Sequence, residues 1–214
     1  PLGVYLLTVK NNSDQPKRMR VAPYFEMVLE FQPERSGTLQ MRRDKAANAL
    51  YFNNPRNMFR TGWAFVSMTS PAEVMETNRG RFFGIGRSPA HPYLVDQGRP
   101  DAEHMSDVQQ IAGMLTTLSI PAGQERTVAV VLGQTDAWKD ANRLVQKYGN
   151  LESAQAGLKE TRNWWLSLMK TAAVETSDTQ FNDFQNWLKY QALAERIWAR
   201  RGFYQTSGAY GFRD

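Results

Sequence analysis

The sequence predicts a chain of mixed β and α class, with an antiparallel β-sandwich over residues 1–134 and helices from there to residue 214. Three observations predict it. From Lys17 to Phe31 the odd positions Met19, Val21, Pro23, Phe25, Met27, Leu29 and Phe31 are apolar, while Arg18, Arg20, Glu26 and Glu30 fall on even ones, which is the period of a half-buried strand. Short apolar runs separated by turn residues then continue to Leu132, a spacing that argues for a sandwich. After Gly133 the apolar spacing changes from strand-like to helical.

Tyr5 to Lys10 reads as the first strand, and the turn cluster Asn11-Asn12-Ser13-Asp14-Gln15-Pro16 predicts that it folds back on the Lys17 strand as an antiparallel unit. Pro23 marks an edge or a bulge, because it has no N–H for a ladder. Further strands are predicted at Ala49–Phe52, Trp63–Met68, Met114–Ile120 and Thr127–Leu132. The Gly-, Pro- and Arg-rich stretch from Asn78 to Glu103 reads as a long surface loop.

Ala137, Ala141, Leu144, Val145 and Tyr148 predict a helix capped by Asp136 and stopped by a left-handed Gly149-Asn150. A second helix is predicted over Leu151–Lys170, and 135–170 reads as a helical linker. A third begins at Ser177, which has capping-box spacing to Gln180, and runs to Gly202. Its apolar arc, with Phe181, Phe184, Trp187, Leu188 and Ile197, is wide enough to suit burial between neighbouring helices.

Composition narrows the function. The chain is 42% hydrophobic and 12% aromatic, which excludes a disordered chain. It has no Cys and two His, so disulfides and thiolate metal sites are excluded and no metal is expected. A net charge of +5 from scattered residues gives no long basic block, so no nucleic-acid partner is expected, while anions such as phosphate remain open. No run approaches a membrane span, and the N-terminal segment lacks the features of a secretion signal.

The motifs carry less than they first offer. Gly84-Ile85-Gly86-Arg87 lacks the third Gly of a dinucleotide loop and reads as a turn. Asn11-Asn12-Ser13 matches a glycosylation pattern but reads as turn chemistry. Trp164, Trp165, Trp187 and Trp198 could stack on sugar rings, although helical spacing favours a core role. The segment Phe203–Asp214 mixes aromatics, small residues and a final Arg-Asp pair after a Gly helix stop, the inventory either of a binding loop or of a structural one.

Trp187 to Ala194, Trp198-Ala199-Arg200 and Gly208-Ala209-Tyr210-Gly211-Phe212-Arg213-Asp214 resemble glycoside hydrolase family 94, formerly glycosyltransferase family 36. Within that family they look most like the C-terminal region of cyclic β-1,2-glucan synthases. Val21 to Leu29, Leu50 to Arg56 and Arg81-Phe82-Phe83-Gly84 extend the resemblance over nearly the whole chain. It implies a β-sandwich of super-sandwich type, a helical linker and an (α/α)6 barrel, so that 1–134 is part of the sandwich and 171–214 the start of the barrel. The chain is then expected to be a fragment of a longer polypeptide, broken off at Asp214 inside the sugar-site motif and inactive by itself.

The implied reaction is inverting transfer between a β-glucan and inorganic phosphate, which acts as co-substrate; no other cofactor is expected. The resemblance makes Asp214 and Arg213 substrate-binding residues, with Tyr210 and Phe212 as candidates to line the sugar site, and places no catalytic residue in the fragment. The implied partners are β-glucan oligosaccharide or polysaccharide, phosphate or glucose 1-phosphate, and the rest of the parent polypeptide, with homodimerisation left open. The implied location is the cytoplasmic face of a bacterial inner membrane. Two alternatives remain at this point: a non-catalytic carbohydrate-binding or scaffold sandwich, and a phosphorylase of another β-glucoside such as cellobiose or chitobiose.

Overall fold

The structure is a computed structural model that describes residues 2–29, 39–57, 62–103, 109–171 and 173–198, with 193–198 described by backbone only. It divides into two compact units, Pro1–Leu158 and Lys159–Asp214.

The first unit is built on two antiparallel sheets. The larger has five strands in the order β1 (Leu2–Lys10), β9 (Glu125–Thr135), β6 (Trp63–Met68), β5 (Ala49–Asn53), β4 (Gln40–Asp44). The smaller is centred on β8 (Gln110–Ile120), which pairs with β2 (Lys17–Val21), β3 (Tyr24–Glu26) and β7 (Val74–Asn78). Val21 faces Thr116 and Tyr24 faces Gly113, so β2 and β3 run along β8 in one register. The period-2 run from Lys17 is therefore one strand interrupted at Ala22-Pro23. Pro23 contributes only its carbonyl, which accepts from Met114 N at 3.3 Å.

Alternation along the strands produces three apolar layers. Leu50, Phe52, Val66 and Met68 from the larger sheet meet Ala112, Met114, Leu118 and Ile120 from the smaller one in the central core. The intervening residues Ala49, Tyr51, Phe65 and Val131 face outward, under Ala141 and Val145 of α3 (Trp138–Lys147). On the opposite side Ile111 and Leu115 of β8 are covered by Phe82 and Phe83 of α1 (Arg79–Phe83) and Leu94 of α2 (Tyr93–Gln97). Both faces of the central strands are thus buried, which is why they read as continuous apolar runs.

Several expectations need correction. β1 and β2 do not pair with each other, since β1 joins β9 in one sheet and β2 joins β8 in the other. The turn between them instead packs on the turn between β8 and β9. Asn11 Nδ2 donates to the carbonyls of Gln15 (2.7 Å), Ile120 (3.0 Å) and Pro121 (3.2 Å), and Asn11 N donates to Gln124 O at 2.8 Å. Asn11 is accordingly buried in turn chemistry.

The expected surface loop from Asn78 to Glu103 contains α1 and α2, because Phe82, Phe83 and Leu94 bury against β8 and outweigh the Gly- and Arg-rich composition. Gly84 ends α1 at φ 82°, where a Cβ would lie 2.8 Å from Tyr93 Cβ, and Gly86 turns the chain again at φ 69°. Strands β4 and β7 are additions to the expected set.

The N-cap of α3 is Ala137, not Asp136, and the helix ends on Tyr148 at φ −107° without the expected left-handed stop. Asn150 caps the next helix, α4 (Leu151–Lys170), by accepting from Ser153 N at 2.8 Å.

The second unit holds the later part of α4 and α5 (Thr179–Trp198). The cap of α5 is Asp178, whose carboxylate accepts from Gln180 N (2.9 Å) and Phe181 N (3.1 Å), so Ser177 is not the cap. Trp164, Phe181, Phe184, Trp187 and Leu188 are exposed where burial was expected. Trp165 packs between Trp164 (5.0 Å) and Tyr190 (5.3 Å), and Lys189 Nζ donates to Met169 O at 3.2 Å. The expected continuation of this helix to Gly202 lies outside the described residues.

Candidate functional site

Tyr210, Phe212, Arg213 and Asp214 all lie outside the described residues, so the sugar-site candidates taken from the resemblance have no geometry here. Within the first unit, two groups of charged side chains are positioned by the fold.

The first surrounds Glu76 on β7, which is almost fully buried. Its Oε1 accepts from the N–H groups of Thr77 and Asn78, both at 2.9 Å. Arg81 Nε lies 3.3 Å from Oε2, and Arg43 Nη2 lies 3.9 Å from Oε1 while donating to Thr77 Oγ1 at 2.9 Å. These contacts hold the irregularity between Glu76 and Asn78 in β7 and launch α1, whose cap Asn78 accepts from Arg81 N at 3.0 Å. Oε1 is committed to that turn and Oε2 faces Arg81, and the carboxylate is almost fully buried, so the cluster organises structure rather than presenting an acid to solvent. Nearby, Tyr24 donates to Glu26 at 2.8 Å, and burial first, then Glu26, pushes its phenol well above the ordinary range.

The second group lines a polar cavity of about 550 Å³ on the outer face of the smaller sheet. Arg18 and Arg20 share the even-numbered face of β2, and Arg20 stands opposite Thr117 of β8. The Arg20 guanidinium donates to the carbonyls of Val95 (2.9 Å) and Asp96 (2.6 Å) at the end of α2. It lies flat on Gly98, where a Cβ would come within 3.1 Å of its Cζ. Glu73 is held by Thr117, whose N–H and hydroxyl donate to its two oxygens at 3.1 and 3.0 Å. The side chains of Arg18 and Gln97 make no hydrogen bond or ion pair among the described residues. Placing Arg18 and Arg20 on the polar face of one strand was legible in the sequence; their meeting with Glu73, Thr117 and the end of α2 was not, since it joins four separate segments.

An apolar groove of about 440 Å³ lies elsewhere on the first unit, bordered by Leu2, Phe25, Met27, Leu29, Ala64 and Leu132. Among the described residues no three His, Cys, Asp or Glu side chains gather as a metal site.

Residues 1–151 match the family model for the glycosyl hydrolase 94 supersandwich domain. The chain belongs to glycoside hydrolase family 94. It is 33% identical over 219 aligned residues to the cyclic β-(1,2)-glucan synthase NdvB of Rhizobium meliloti, an alignment that covers 100% of this chain and 8% of that protein. It is 22% identical to the N,N'-diacetylchitobiose phosphorylases of Vibrio proteolyticus and Vibrio furnissii, over 99% of the chain and 27% of each of them. The chain thus spans a small part of the curated relatives it matches. A solved structure assigned as a kojibiose phosphorylase from human microbiome superimposes with a TM-score of 0.50 at 10% identity, over 89% of this chain and 23% of that one. That likeness concerns the fold alone.

Family 94 membership carries the expected sandwich of super-sandwich type with helices after it, and it places the chain among proteins of phosphorylase and glycosyltransferase type. No closed barrel is present among the described residues. No helix among the described residues is long and apolar enough to cross a membrane.

Proposed function

We propose that this chain is the support and entrance of a β-glucan phosphorylase-type catalytic region in a cyclic β-1,2-glucan synthase. In this reading residues 1–134 are the sandwich, 135–170 the linker and 171–214 the opening of an (α/α)6 barrel. The observation that carries it is the 33% identity to a cyclic β-(1,2)-glucan synthase along the whole chain, together with the Phe212-Arg213-Asp214 motif read from the sequence.

Asp214 binds hydroxyls of the transferred glucosyl unit. An ionised carboxylate suits this because it accepts several hydrogen bonds in fixed geometry. Arg213 orients the site, and Tyr210 and Phe212 line it. Inorganic phosphate is the nucleophile. One of its oxygens attacks the anomeric carbon as the glycosidic C–O bond breaks, and a later barrel Asp of the parent protonates the leaving oxygen. The product is glucose 1-phosphate with inverted configuration. The parent works at the cytoplasmic face of a bacterial inner membrane, and the exposed apolar face of α5 supports a helix that other barrel helices cover.

The test uses the parent polypeptide extended through its barrel. With linear β-1,2-glucan and phosphate it releases glucose 1-phosphate, and Asp214→Ala lowers that rate at least about a hundredfold, the scale of a lost charge-assisted contact to the transition state. Full activity of Asp214→Ala overturns the role of Asp214. Preference for cellobiose or chitobiose over β-1,2-glucan overturns the substrate while keeping the reaction, an outcome kept in view by the two chitobiose phosphorylase relatives.

A further inference from the structure

We infer that the cavity between β2, β8 and the end of α2 is a carbohydrate subsite that holds a short run of a neutral glucan chain. This inference rests on the β-glucan reading of the parent.

Its volume, about 550 Å³, falls within the roughly 300–1,000 Å³ typical of ligand pockets. Its walls divide into held and free groups. Arg20 and Glu73 are fixed, the first by two backbone carbonyls and the second by two hydrogen bonds from Thr117. Arg18 and Gln97 project into the same space with their hydrogen-bonding groups uncommitted among the described residues. Such a set alternates donors and acceptors: Arg18 only donates, the remaining lone pairs of Glu73 only accept, and Gln97 does both. Adjacent sugar hydroxyls are each donor and acceptor at once, and satisfy that alternation.

Charge selects against the other ligands. An anion would meet the Glu73 carboxylate, and Arg20, which keeps its positive charge, has its Nη1 already committed to the Val95 and Asp96 carbonyls. Among the described lining residues Arg18 is the one cation whose side chain is uncommitted, so a phosphorylated ligand would find one free guanidinium with a carboxylate beside it. The polar, concave lining equally disfavours an apolar protein segment.

The experiment titrates the 214-residue chain with linear β-1,2-gluco-oligosaccharides by calorimetry, with inorganic phosphate and glucose 1-phosphate as competitors. Saturable binding is expected, weakened about tenfold or more in Arg18→Ala and in Glu73→Gln, with neither phosphate compound competing. Glu73→Gln keeps groups able to bond Thr117, so its melting temperature stays close to that of the unaltered chain. No binding by the unaltered chain, or unchanged affinity in both variants, overturns the subsite; displacement of the oligosaccharide by phosphate overturns its neutral-glucan character. In the extended polypeptide Arg18→Ala should raise KM for long glucan more than KM for short oligosaccharides. Binding by this cavity without any glucose 1-phosphate release would sink the phosphorylase reading and support the subsite.

Discussion

The two units use the same kind of side chain to opposite ends. In the sandwich Tyr51, Phe52 and Phe65 have no accessible surface, whereas in the helical unit Trp164, Phe184 and Trp187 are 48%, 57% and 56% exposed. Strands β5, β6 and β9 alternate between a central core and an outer layer, and each layer is closed inside the first unit by a second sheet or by α3. In the second unit, contacts such as Trp165 with Tyr190 cover part of an aromatic surface and leave the rest in water. The difference teaches that aromatic content alone does not measure a core. What matters is whether the unit supplies a second layer for each apolar face.

The largest expected effect breaks the comparison on the sandwich side. Phe65 lies in the layer between the five-stranded sheet and α3, and Phe65→Ala removes a fully buried ring. It should cost about 3–5 kcal/mol, a large share of the roughly 5–15 kcal/mol that stabilises a typical domain. Urea denaturation followed by circular dichroism measures it. A loss below about 1 kcal/mol would mean that the outer layer contributes little and that the sandwich depends on its central core alone.

What was legible in the sequence follows the same division. Ala49–Phe52, Trp63–Met68, Met114–Ile120 and Thr127–Leu132 were readable because their apolar runs are long and their neighbours are turn residues. β4, with the sequence Gln-Met-Arg-Arg-Asp, was missed because it is an edge strand with largely exposed side chains and no apolar rhythm. The β1–β2 error has a different cause: Asn11-Asn12-Ser13 announces a turn, but turn chemistry does not say which strand the chain joins next. α1 and α2 were hidden by Gly, Arg and Pro around three buried apolar residues, and helices of five residues each show no full period. The polar cavity had no local signature at all, since Arg18, Glu73, Gln97 and Thr117 are brought together only by sheet pairing and by α2. Asp214 was proposed from the opposite kind of signal, a contiguous motif, and it lies outside the described residues.

A smaller effect sharpens the account of the outer layer through pH. Burial pushes the Tyr51 phenol from its ordinary 10.0 up to about 12, with Asp44 adding to the rise and Arg42 opposing it. The folded pKa is raised above the unfolded one, so the stability linked to this proton is complete below about pH 10 and is lost as pH rises through about 12. Tyr24 shifts in the same direction through burial and Glu26. Thermal melts should therefore fall steeply between pH 10 and 12, and the double variant Tyr51→Phe with Tyr24→Phe should flatten that fall. An identical alkaline slope in the double variant would show that other groups govern it.

The smallest effect belongs to the helical unit, where Trp187 stands more than half exposed on α5. Trp187→Ser removes apolar surface that already faces water, so it should change the stability of the 214-residue chain by no more than about 0.5 kcal/mol. It should also reduce binding of a hydrophobic dye. In the parent polypeptide extended through the barrel, the same substitution should cost about 3 kcal/mol or more, the scale for truncating an enclosed aromatic side chain. The contrast between the two measurements carries the information. Equal, small effects in both would mean that α5 keeps this face in water in the parent as well, and the barrel-entrance reading of residues 171–214 would lose its physical support. A loss in the 214-residue chain comparable to that of Phe65→Ala would mean that Trp187 is already enclosed there, and the distinction between a closed sandwich and an open helical unit would fail.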